Sequence, residues 1–256
     1  MIFFVGAGPG DVDLITVKGR KLLEEADVII YAGSLVSKRQ LDFVKDDAKI
    51  YDSSKMSLEE VLEVFKKSEE KRLVTVRLHT GDPGIYGAIG EQMKELDKLG
   101  IYYEVVPGVS SFSAANAAIK KEMTLPGVSQ TIIITRNAGK TPVPEGEKLE
   151  NLAKHHATMA IFLSISMIEE VVEKLLVGYE KTTPIAVVYR ASWPEEKIIQ
   201  GTLEDIAEKV KFENIGRQAM ILVGDFLNTD FEYSKLYDKH FATGYRKAIP
   251  KDKKDE

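Results

Sequence analysis

Short runs of apolar residues alternate with amphipathic stretches along almost the whole chain. A short apolar run bounded by turn residues is typical of a buried strand, whereas apolar residues that recur every three or four positions are typical of a helix. The alternation of the two patterns predicts an α/β fold with largely parallel sheet. Strands are predicted over residues 2–5, 28–31, 73–78, 102–106, 131–135, 159–163, 185–189 and 220–223.

Several of the intervening helices are indicated by residues that commonly start or end a helix. Three pairs have the spacing of a capping box: Ser57 with Glu60, Ser166 with Glu169, and Thr202 with Asp205. Gly100 is predicted to end another helix, because glycine adopts the left-handed backbone conformation at little cost. Ser110 or Ser111 is expected to begin an alanine-rich helix towards Lys120.

The chain is expected to divide into two domains. Leu125-Pro126-Gly127 interrupts the regular pattern and indicates that a new unit has begun shortly before it. We therefore expect an N-terminal α/β domain over residues 1–112 and a C-terminal α/β domain over residues 113–235. Residues 236–256 form a predicted tail, and its charged end, 251–256, is expected to be disordered.

Composition narrows the possible classes of protein. The 256 residues include no cysteine, which excludes disulfides, zinc–thiolate sites and thiol nucleophiles. The net charge of −5 argues against nucleic-acid binding, because an acidic protein repels polyanions. No apolar run approaches the ~20 residues that span a membrane, and none has the form of a signal peptide. We expect a cytoplasmic protein that binds neither nucleic acid nor membrane.

The four histidines do not have the spacing of metal ligands, so no protein-bound metal is expected. Two of them are the adjacent pair His155-His156, whose side chains diverge on either a helix or a strand. His79 directly precedes a glycine-rich turn. For that residue, a structural hydrogen bond and a catalytic role both stay open.

The first predicted strand ends in the glycine-rich segment Gly6-Ala7-Gly8-Pro9-Gly10-Asp11. Its spacing approaches the dinucleotide-binding fingerprint, but Asp11 stands where that fingerprint requires glycine or alanine. Pro9 also lacks the backbone N–H group that a pyrophosphate would use. A nicotinamide or flavin site is therefore the least favoured of three interpretations; the other two are a tight surface turn and a turn in which the backbone approaches a bulky ligand.

A second glycine-rich turn, Gly81-Asp82-Pro83-Gly84-Ile85-Tyr86, directly follows another predicted strand. In open α/β sheets, ligands bind beyond the carboxyl ends of the strands, and this segment lies at such an end. Its glycines permit close backbone approach, and Asp82 can accept hydrogen bonds or face a cation. Asp-Pro-Gly is also an ordinary turn sequence, so a purely structural role stays open.

A third segment, Tyr189-Arg190-Ala191-Ser192-Trp193-Pro194, holds the only tryptophan of the chain. It follows the apolar run 185–188, so a buried strand ends in a turn that carries a guanidinium and an indole. A flat ring beside a cation suits a large, planar, anionic ligand better than it suits a protein core. The three segments together indicate an enzyme.

Taken together, these segments resemble the tetrapyrrole methylase superfamily. A glycine-rich first loop, a Gly-Asp-Pro turn and a Pro-Gly-Val-Ser segment (107–110) occur in the order typical of that superfamily. From residue 1 to about residue 246, the chain is similar to those members that methylate C11 of a ring-contracted tetrapyrrole in corrin synthesis. The stretches that carry this closer similarity are 31–36, 125–131, 135–136, 141–144, 189–194 and 234–237.

The resemblance implies two α/β domains with an active-site cleft between them, S-adenosylmethionine as methyl donor and S-adenosylhomocysteine as its product. The donor contacts that it implies are Pro9, Gly81, Asp82, Ile85, Ser110, Ser111, Leu163, Ala191 and Ala219. The acceptor contacts are expected to be Arg136, Lys140 and Arg190 on its carboxylates, with Trp193 and Tyr86 on the macrocycle. Methyl transfer of this kind requires no strong acid or base, so no catalytic acid or base is assigned. Asp82 and Tyr86 are candidates for assisting the reaction electrostatically. A homodimer is expected from the resemblance alone.

Two other functions stay open at this point. One is a methylase of the same fold that acts on another tetrapyrrole, on RNA or on a protein, although the acidic net charge speaks against RNA. The other is a non-catalytic protein that binds tetrapyrroles or nucleosides. Any cobalt is expected to arrive with the acceptor.

Overall fold

The structure is a computed structural model that describes residues 1–227 and 230–250. Within these residues, ten strands form two five-stranded sheets, and helices pack against both. The α/β class predicted from the alternating pattern is confirmed. The predicted disorder of residues 251–256 lies outside the described residues.

The first sheet is parallel throughout. Its strands are β1 (Ile2–Gly6), β2 (Val28–Tyr31), β3 (Lys49–Asp52), β4 (Thr75–His79) and β5 (Tyr103–Val106), in the order β3-β2-β4-β1-β5. The helices of this half are α1 (Val17–Glu25), α2 (Leu58–Glu70), α3 (Ile89–Leu99) and α4 (Ser111–Ile119). Apolar clusters cover both faces of the sheet, one around Leu23 and the other around Phe65. Strands buried on both faces read as continuous apolar runs, which is why the pattern reveals them.

The second sheet has mixed strand directions. Its strands are β6 (Ile132–Arg136), β7 (Thr158–Phe162), β8 (Pro184–Tyr189), β9 (Lys197–Thr202) and β10 (Ala219–Val223), in the order β6-β7-β10-β8-β9. Its helices are α5 (Leu149–Leu152), α6 (Ile168–Leu175) and α7 (Ile206–Phe212). Only β6 and β7 pair in parallel, while β10 is antiparallel to both of its neighbours and β9 is antiparallel to β8. The prediction of a largely parallel sheet is therefore wrong here. The turn between β8 and β9 is too short for a crossover helix, so the chain must return antiparallel.

Strands β3 and β9 are not predicted by the apolar pattern. Each lies at an edge of its sheet, and Ile50 and Ile198 on these strands are exposed. Edge strands often carry charged and polar residues, which remove the apolar run by which a central strand is recognised.

The capping box predicted at Ser57 is confirmed at the start of α2. The Ser57 N–H donates to Glu60 Oε2 at 2.7 Å, and the Glu60 N–H donates to Ser57 Oγ at 3.3 Å. Gly100 ends α3 with a φ of 64°, as predicted. Both signals are local, because all partners lie within one helical turn.

The other two capping boxes are not formed as predicted. Helix α6 begins at Ile168 with Met167 at its N-cap, so the prediction at Ser166 is wrong. At Thr202, half of the box is present, because its N–H donates to Asp205 Oδ1 at 2.9 Å. A 3-10 turn, Ile165–Met167, contains this serine and places the start of α6 after it.

The two sheets use separate parts of the chain, residues 2–106 and 132–223. The domain boundary expected between residues 112 and 113 falls inside α4, whose Ala115 and Ile119 pack with the second core. The exact division into domains stays a prediction. Among the described helices, none is long and apolar enough to cross a membrane.

Candidate active site

A cavity of about 430 Å³ is lined by the ends of both sheets. Volumes of about 300–1,000 Å³ are usual for small-molecule sites. On the first sheet, the wall follows the carboxyl ends of β1, β4 and β5; on the second, it follows the ends of β7 and β8 and includes the start of β10. Because β10 is antiparallel to β7 and β8, its first residue lies at the same edge as their last residues.

All nine residues implied as donor contacts lie in this cavity wall. They are Pro9 in the first loop, Gly81, Asp82 and Ile85 in the second turn, Ser110 and Ser111 at the start of α4, Leu163 after β7, Ala191 after β8 and Ala219 on β10. The fold thus brings together segments that are up to 210 positions apart, since Pro9 and Ala219 share one wall. Their role in binding stays a proposal.

The strand ends cross closely beside the cavity. The Gly81 N–H donates to the Gly8 carbonyl at 2.8 Å, and the Gly8 N–H donates to the Gly81 carbonyl at 3.3 Å. A Cβ atom on Gly108 would lie 2.2 Å from the Gly81 carbonyl oxygen, and one on Gly6 would lie 2.5 Å from it. These positions therefore require glycine, and the first loop is a buried backbone junction rather than a tight surface turn.

Asp82 ties two of these strand ends together through its carboxylate. Oδ1 accepts a hydrogen bond from the Gly84 N–H at 2.8 Å, and Oδ2 accepts one from the Gly108 N–H at 2.9 Å. The carboxylate is half-buried and still lines the cavity. Each oxygen keeps a second lone pair, so the same group can hold the turn and present negative charge to a ligand.

The first loop also contacts the turn after β8. The Trp193 Nε1–H donates to the Pro9 carbonyl oxygen at 2.8 Å, and the Asp11 N–H donates to Ser192 Oγ at 3.0 Å. The indole lies so close to Gly10 that a Cβ atom there would be 2.1 Å from Trp193 Cδ1. The indole N–H is thus used within the protein, although Trp193 also lines the cavity.

Arg190 lines the cavity with its guanidinium already engaged. Its Nε donates to Gln218 Oε1 at 3.2 Å, and its Nη1 lies 3.4 Å from a carboxylate oxygen of Glu195. Its Cζ also lies 4.7 Å from the centroid of the Trp193 ring, within the range of a cation–π contact. These contacts fix the side chain in place before any ligand arrives.

Four non-glycine residues of the wall have left-handed backbone conformations. Their φ angles are 54° for Tyr86, 53° for Leu163, 47° for Arg190 and 54° for Gln218. Such residues cost on the order of 1–3 kcal/mol each and persist only where the surrounding structure imposes them. Leu163 is also 68% exposed, so an apolar side chain faces the open cavity without a protein partner to cover it fully. Strain and exposed apolar surface at one place are typical of a binding site.

Two of the expected acceptor contacts, Arg136 and Lys140, lie outside the cavity wall. Arg136 is the last residue of β6 and donates to the carbonyl oxygens of Asn137, Thr141 and Pro142 at 2.7–3.2 Å. Its charge acts on Tyr86 and lowers the pKa of that phenol, but burial has the larger effect and raises it overall. Lys140 is exposed on the same loop. Neither residue is placed by the structure against the donor contacts.

The cavity wall also contains residues that no sequence pattern indicates. They include Leu35, Thr80, Phe162, Gly216, Arg217 and Gln218. The rule that ligands bind beyond the carboxyl ends of strands points to the residues directly after each strand. Gly216 and Arg217 instead precede β10, and they reach the same edge only because that strand runs antiparallel to its neighbours.

His79 is buried at the end of β4 and does not line the cavity. Burial, and secondarily the nearby cation of Arg77, lower its pKa to about 3. Its carbonyl accepts a hydrogen bond from the Ala7 N–H at 2.7 Å, while Nε2 has no partner among the described residues. Over the same described ranges, no group of three or more His, Asp or Glu side chains is arranged to hold a metal ion.

Comparisons with known proteins point to one family. The sequence profile of the Tetrapyrrole (Corrin/Porphyrin) Methylases matches residues 1–207. A cobalt-precorrin-4 C(11)-methyltransferase from Methanocaldococcus jannaschii is 59% identical over 252 residues, which cover 98% of this chain and 97% of the relative. Two chains that are this similar over nearly their full lengths share one fold.

Solved structures agree with this result. The X-ray structure of a cobalt precorrin-4 methyltransferase, a cobalamin biosynthetic enzyme, matches with a TM-score of 0.87 and 46% identity over 89% of this chain and 96% of that one. The uroporphyrin-III C-methyl transferase from Thermus thermophilus, solved in complex with S-adenosylhomocysteine, matches with a TM-score of 0.75 and 27% identity over 89% of this chain and 93% of that one.

Proposed function

Since the chain belongs to the tetrapyrrole methylase family, we propose that it transfers the methyl group of S-adenosylmethionine to C11 of cobalt-precorrin-4 or precorrin-4. It is thereby a methyltransferase of cobalamin biosynthesis. The observation that carries the proposal is the cavity between the ends of the two sheets, whose wall contains every residue implied for the donor.

The wall fits the donor by shape and by chemistry. Gly81, Ala191 and Ala219 have no side chain or a small one, so their backbone can approach a folded ligand. Ile85 and Leu163 offer apolar surface, which suits an adenine ring. Asp82 offers a carboxylate that is already oriented by two backbone N–H groups and suits a positively charged donor.

When bound, the donor would supply a methyl group on a sulfonium, and an electron-rich ring carbon would attack that methyl in line while S-adenosylhomocysteine leaves as the neutral thioether. The chain itself has to hold the two reactants in alignment, which can lower a barrier by about 7–11 kcal/mol. The left-handed residues Leu163 and Arg190 serve this purpose, because they keep the wall in one shape. The crowded junction of Gly6, Gly81 and Gly108 does the same on the opposite side.

No strong acid or base is assigned. The Tyr86 phenol has a raised pKa because it is partly desolvated, so it stays protonated at neutral pH and can donate a hydrogen bond. Asp82 can act through its negative charge. Both residues are proposed to assist electrostatically rather than to transfer a proton.

For the acceptor, we assign recognition to the side of the cavity formed by Arg190, Trp193 and Tyr86. The ring of Tyr86 lies 5.1 Å from that of Phe162, so an aromatic surface already exists there. Arg136 and Lys140 belong to the same proposal as contacts to acceptor carboxylates that project beyond the wall. Arg136 and Lys140 can contact the acceptor only if it is large enough to extend past the cavity.

A homodimer and a cytoplasmic location complete the proposal. Tyr233, and Tyr237 and Tyr245 of the tail, are almost fully exposed, and exposed apolar surface often marks an interface. Light scattering should give the mass of a dimer, and a monomer mass would contradict this part. Cell fractionation should place the protein in the cytoplasm.

The function is tested with purified full-length protein and labelled donor. Calorimetry should show S-adenosylhomocysteine bound with a Kd of micromolar order or tighter. Precorrin-4 and cobalt-precorrin-4, assayed side by side, should show which acceptor gains one methyl group. Absence of donor binding would disprove the methyltransferase. Label that enters RNA or a protein instead would assign the chain to another branch of the family.

A further inference from the structure

Arg217 occupies an unusual position in the cavity wall. It lies between α7 and β10, beside Gly216 and Gln218, and all three residues line the cavity. Its side chain is exposed. Among the described residues, its guanidinium makes neither a hydrogen bond nor an ion pair.

Arg190 and Arg136, the two arginines already considered for the acceptor, both have protein partners. Arg190 is bonded to Gln218 and paired with Glu195. Arg136 donates to three backbone carbonyls and lies outside the wall. Arg217 therefore differs from both, because it lines the cavity and its five N–H donors have no acceptor among the described residues.

The turn that carries Arg217 is fixed on both sides. On one side, Ile215 is buried and its N–H donates to the Val210 carbonyl at 3.3 Å. On the other side, the Gln218 carbonyl accepts a hydrogen bond from the Arg190 N–H at 2.9 Å. The backbone on both sides of Gly216 and Arg217 is thus ordered before a ligand binds, so binding does not have to order it.

We propose that Arg217 binds a carboxylate of the ligand in this cavity. A guanidinium grips a carboxylate through two parallel hydrogen bonds, and this geometry suits a side chain whose donors are unused. The proposal rests on the proposed function, which supplies two sources of that group: the carboxylates of the tetrapyrrole acceptor and the amino-acid end of the donor. Arg217 would bind a carboxylate within the cavity, whereas Arg136 and Lys140, which lie outside the wall, are proposed to contact carboxylates that project beyond it.

The test compares full-length wild-type protein with Arg217→Gln and Arg217→Lys. Arg72→Gln is the matched control, because Arg72 is an exposed arginine just before β4, at the opposite end of the strand from the cavity. Three quantities are measured for each protein: the Kd of S-adenosylhomocysteine, the Kd of 5′-methylthioadenosine, which lacks the amino-acid carboxylate, and the KM for the tetrapyrrole acceptor. Thermal unfolding midpoints report on folding.

Loss of a charged, bidentate contact should weaken binding of the recognised ligand about 10- to 100-fold in Arg217→Gln. If the acceptor supplies the carboxylate, its KM rises by this factor and both nucleoside Kd values stay within twofold. If the donor supplies it, only the Kd of S-adenosylhomocysteine rises, and that of 5′-methylthioadenosine does not. Arg217→Lys should recover part of the loss, because lysine restores the charge without the planar fork.

Two results would overturn the proposal. One is an Arg217→Gln protein whose three binding quantities all lie within twofold of wild type. The other is a parallel loss of all three with a lower unfolding midpoint, which would show a structural role. A wild-type protein that neither binds S-adenosylhomocysteine nor methylates the acceptor would instead overturn the proposed function, and with it the premise of this inference.

Discussion

The Nε1–H of Trp193 donates a hydrogen bond to the carbonyl oxygen of Pro9 at 2.8 Å, although the two residues are 184 positions apart. Pro9 belongs to the loop after the first strand of the first sheet, and Trp193 to the turn after a strand of the second. The bond therefore joins the two halves of the chain directly at the cavity that both residues line. The only tryptophan of the protein is a structural contact as well as a candidate ligand contact.

Replacing Trp193 with Phe should therefore weaken both folding and donor binding. The Pro9 carbonyl would lose its donor in a partly buried place, which costs about 1–3 kcal/mol. Urea unfolding should show a free energy of unfolding that is lower by about 1 kcal/mol. This value is at the lower end of that range because Trp193 is only half-buried. An unchanged unfolding midpoint together with unchanged S-adenosylhomocysteine affinity would show that the bond does not matter.

Trp193 should also report ligand binding in the unmodified protein. It is the single tryptophan and lines the cavity, so tryptophan emission comes from this one place. Titration with S-adenosylhomocysteine should change the intensity or wavelength of that emission with the same Kd as calorimetry. Emission that stays constant through saturation would place the ligand away from the indole.

Gly108→Ala should disrupt the junction of strand ends. Its Cβ would lie 2.2 Å from the Gly81 carbonyl oxygen, and backbone on both sides leaves little freedom to relax. Overpacking of this kind costs about 1–3 kcal/mol, and donor affinity should fall as the wall shifts. Denaturant unfolding and calorimetry measure the two effects.

Gly90→Ala is the matched control for this variant. Gly90 lies in α3, and a Cβ there would meet no atom within 4 Å apart from its chain neighbours and the backbone of its own helix. Alanine in place of a helical glycine should stabilise the protein by about 0.5–1 kcal/mol without changing donor affinity. Equal destabilisation by both variants would show that the junction is not special.

Asp82→Asn should separate the structural from the electrostatic role of this side chain. An amide offers one acceptor oxygen where the carboxylate offers two, so either the Gly84 or the Gly108 N–H loses its partner. Hydrogen bonds to a charged group are worth about 1.5–3 kcal/mol, and unfolding free energy should fall by about 2 kcal/mol. Donor affinity should fall about tenfold, which corresponds to about 1.4 kcal/mol. The exposed Asp46 provides the control Asp46→Asn, which should change neither quantity.

His79 should make the folded protein sensitive to acid. Its pKa is lowered from 6.5 in the unfolded chain to about 3 in the folded protein. Between these values the unfolded state binds the proton more readily, so the stability that His79 contributes is fully present above pH 6.5 and is lost as pH falls towards 3. Between pH 7.5 and pH 5, the free energy of unfolding that is lost through His79 amounts to about 2 kcal/mol.

Urea unfolding at these two pH values checks the effect. His79→Leu should reduce the loss of stability between pH 7.5 and pH 5 by about 2 kcal/mol, because leucine does not titrate. His155→Gln, at an exposed histidine, should keep the wild-type dependence on pH. An identical pH dependence of wild type and His79→Leu would contradict the burial argument.

Local signals could be predicted from the sequence because their partners are close along the chain. The capping box of Ser57 with Glu60 and the left-handed Gly100 each depend on one helical turn. The central strands were also predictable, since burial on both faces requires continuous apolar residues. The family resemblance rested on glycine-rich turns whose order along the chain needs no structure to be seen.

The alternating pattern of the sequence by itself determined the α/β class, the central strands and the motifs at their ends. Only the tertiary structure decided the direction of β10, and with it the entry of Arg217 into the cavity wall. It also decided that Trp193 binds Pro9 and that Arg190 is held by Gln218 and Glu195. The physical reason is one of range: hydrophobic period and helix ends depend on neighbouring residues, whereas strand direction and side-chain partners depend on segments that meet only after the chain has folded.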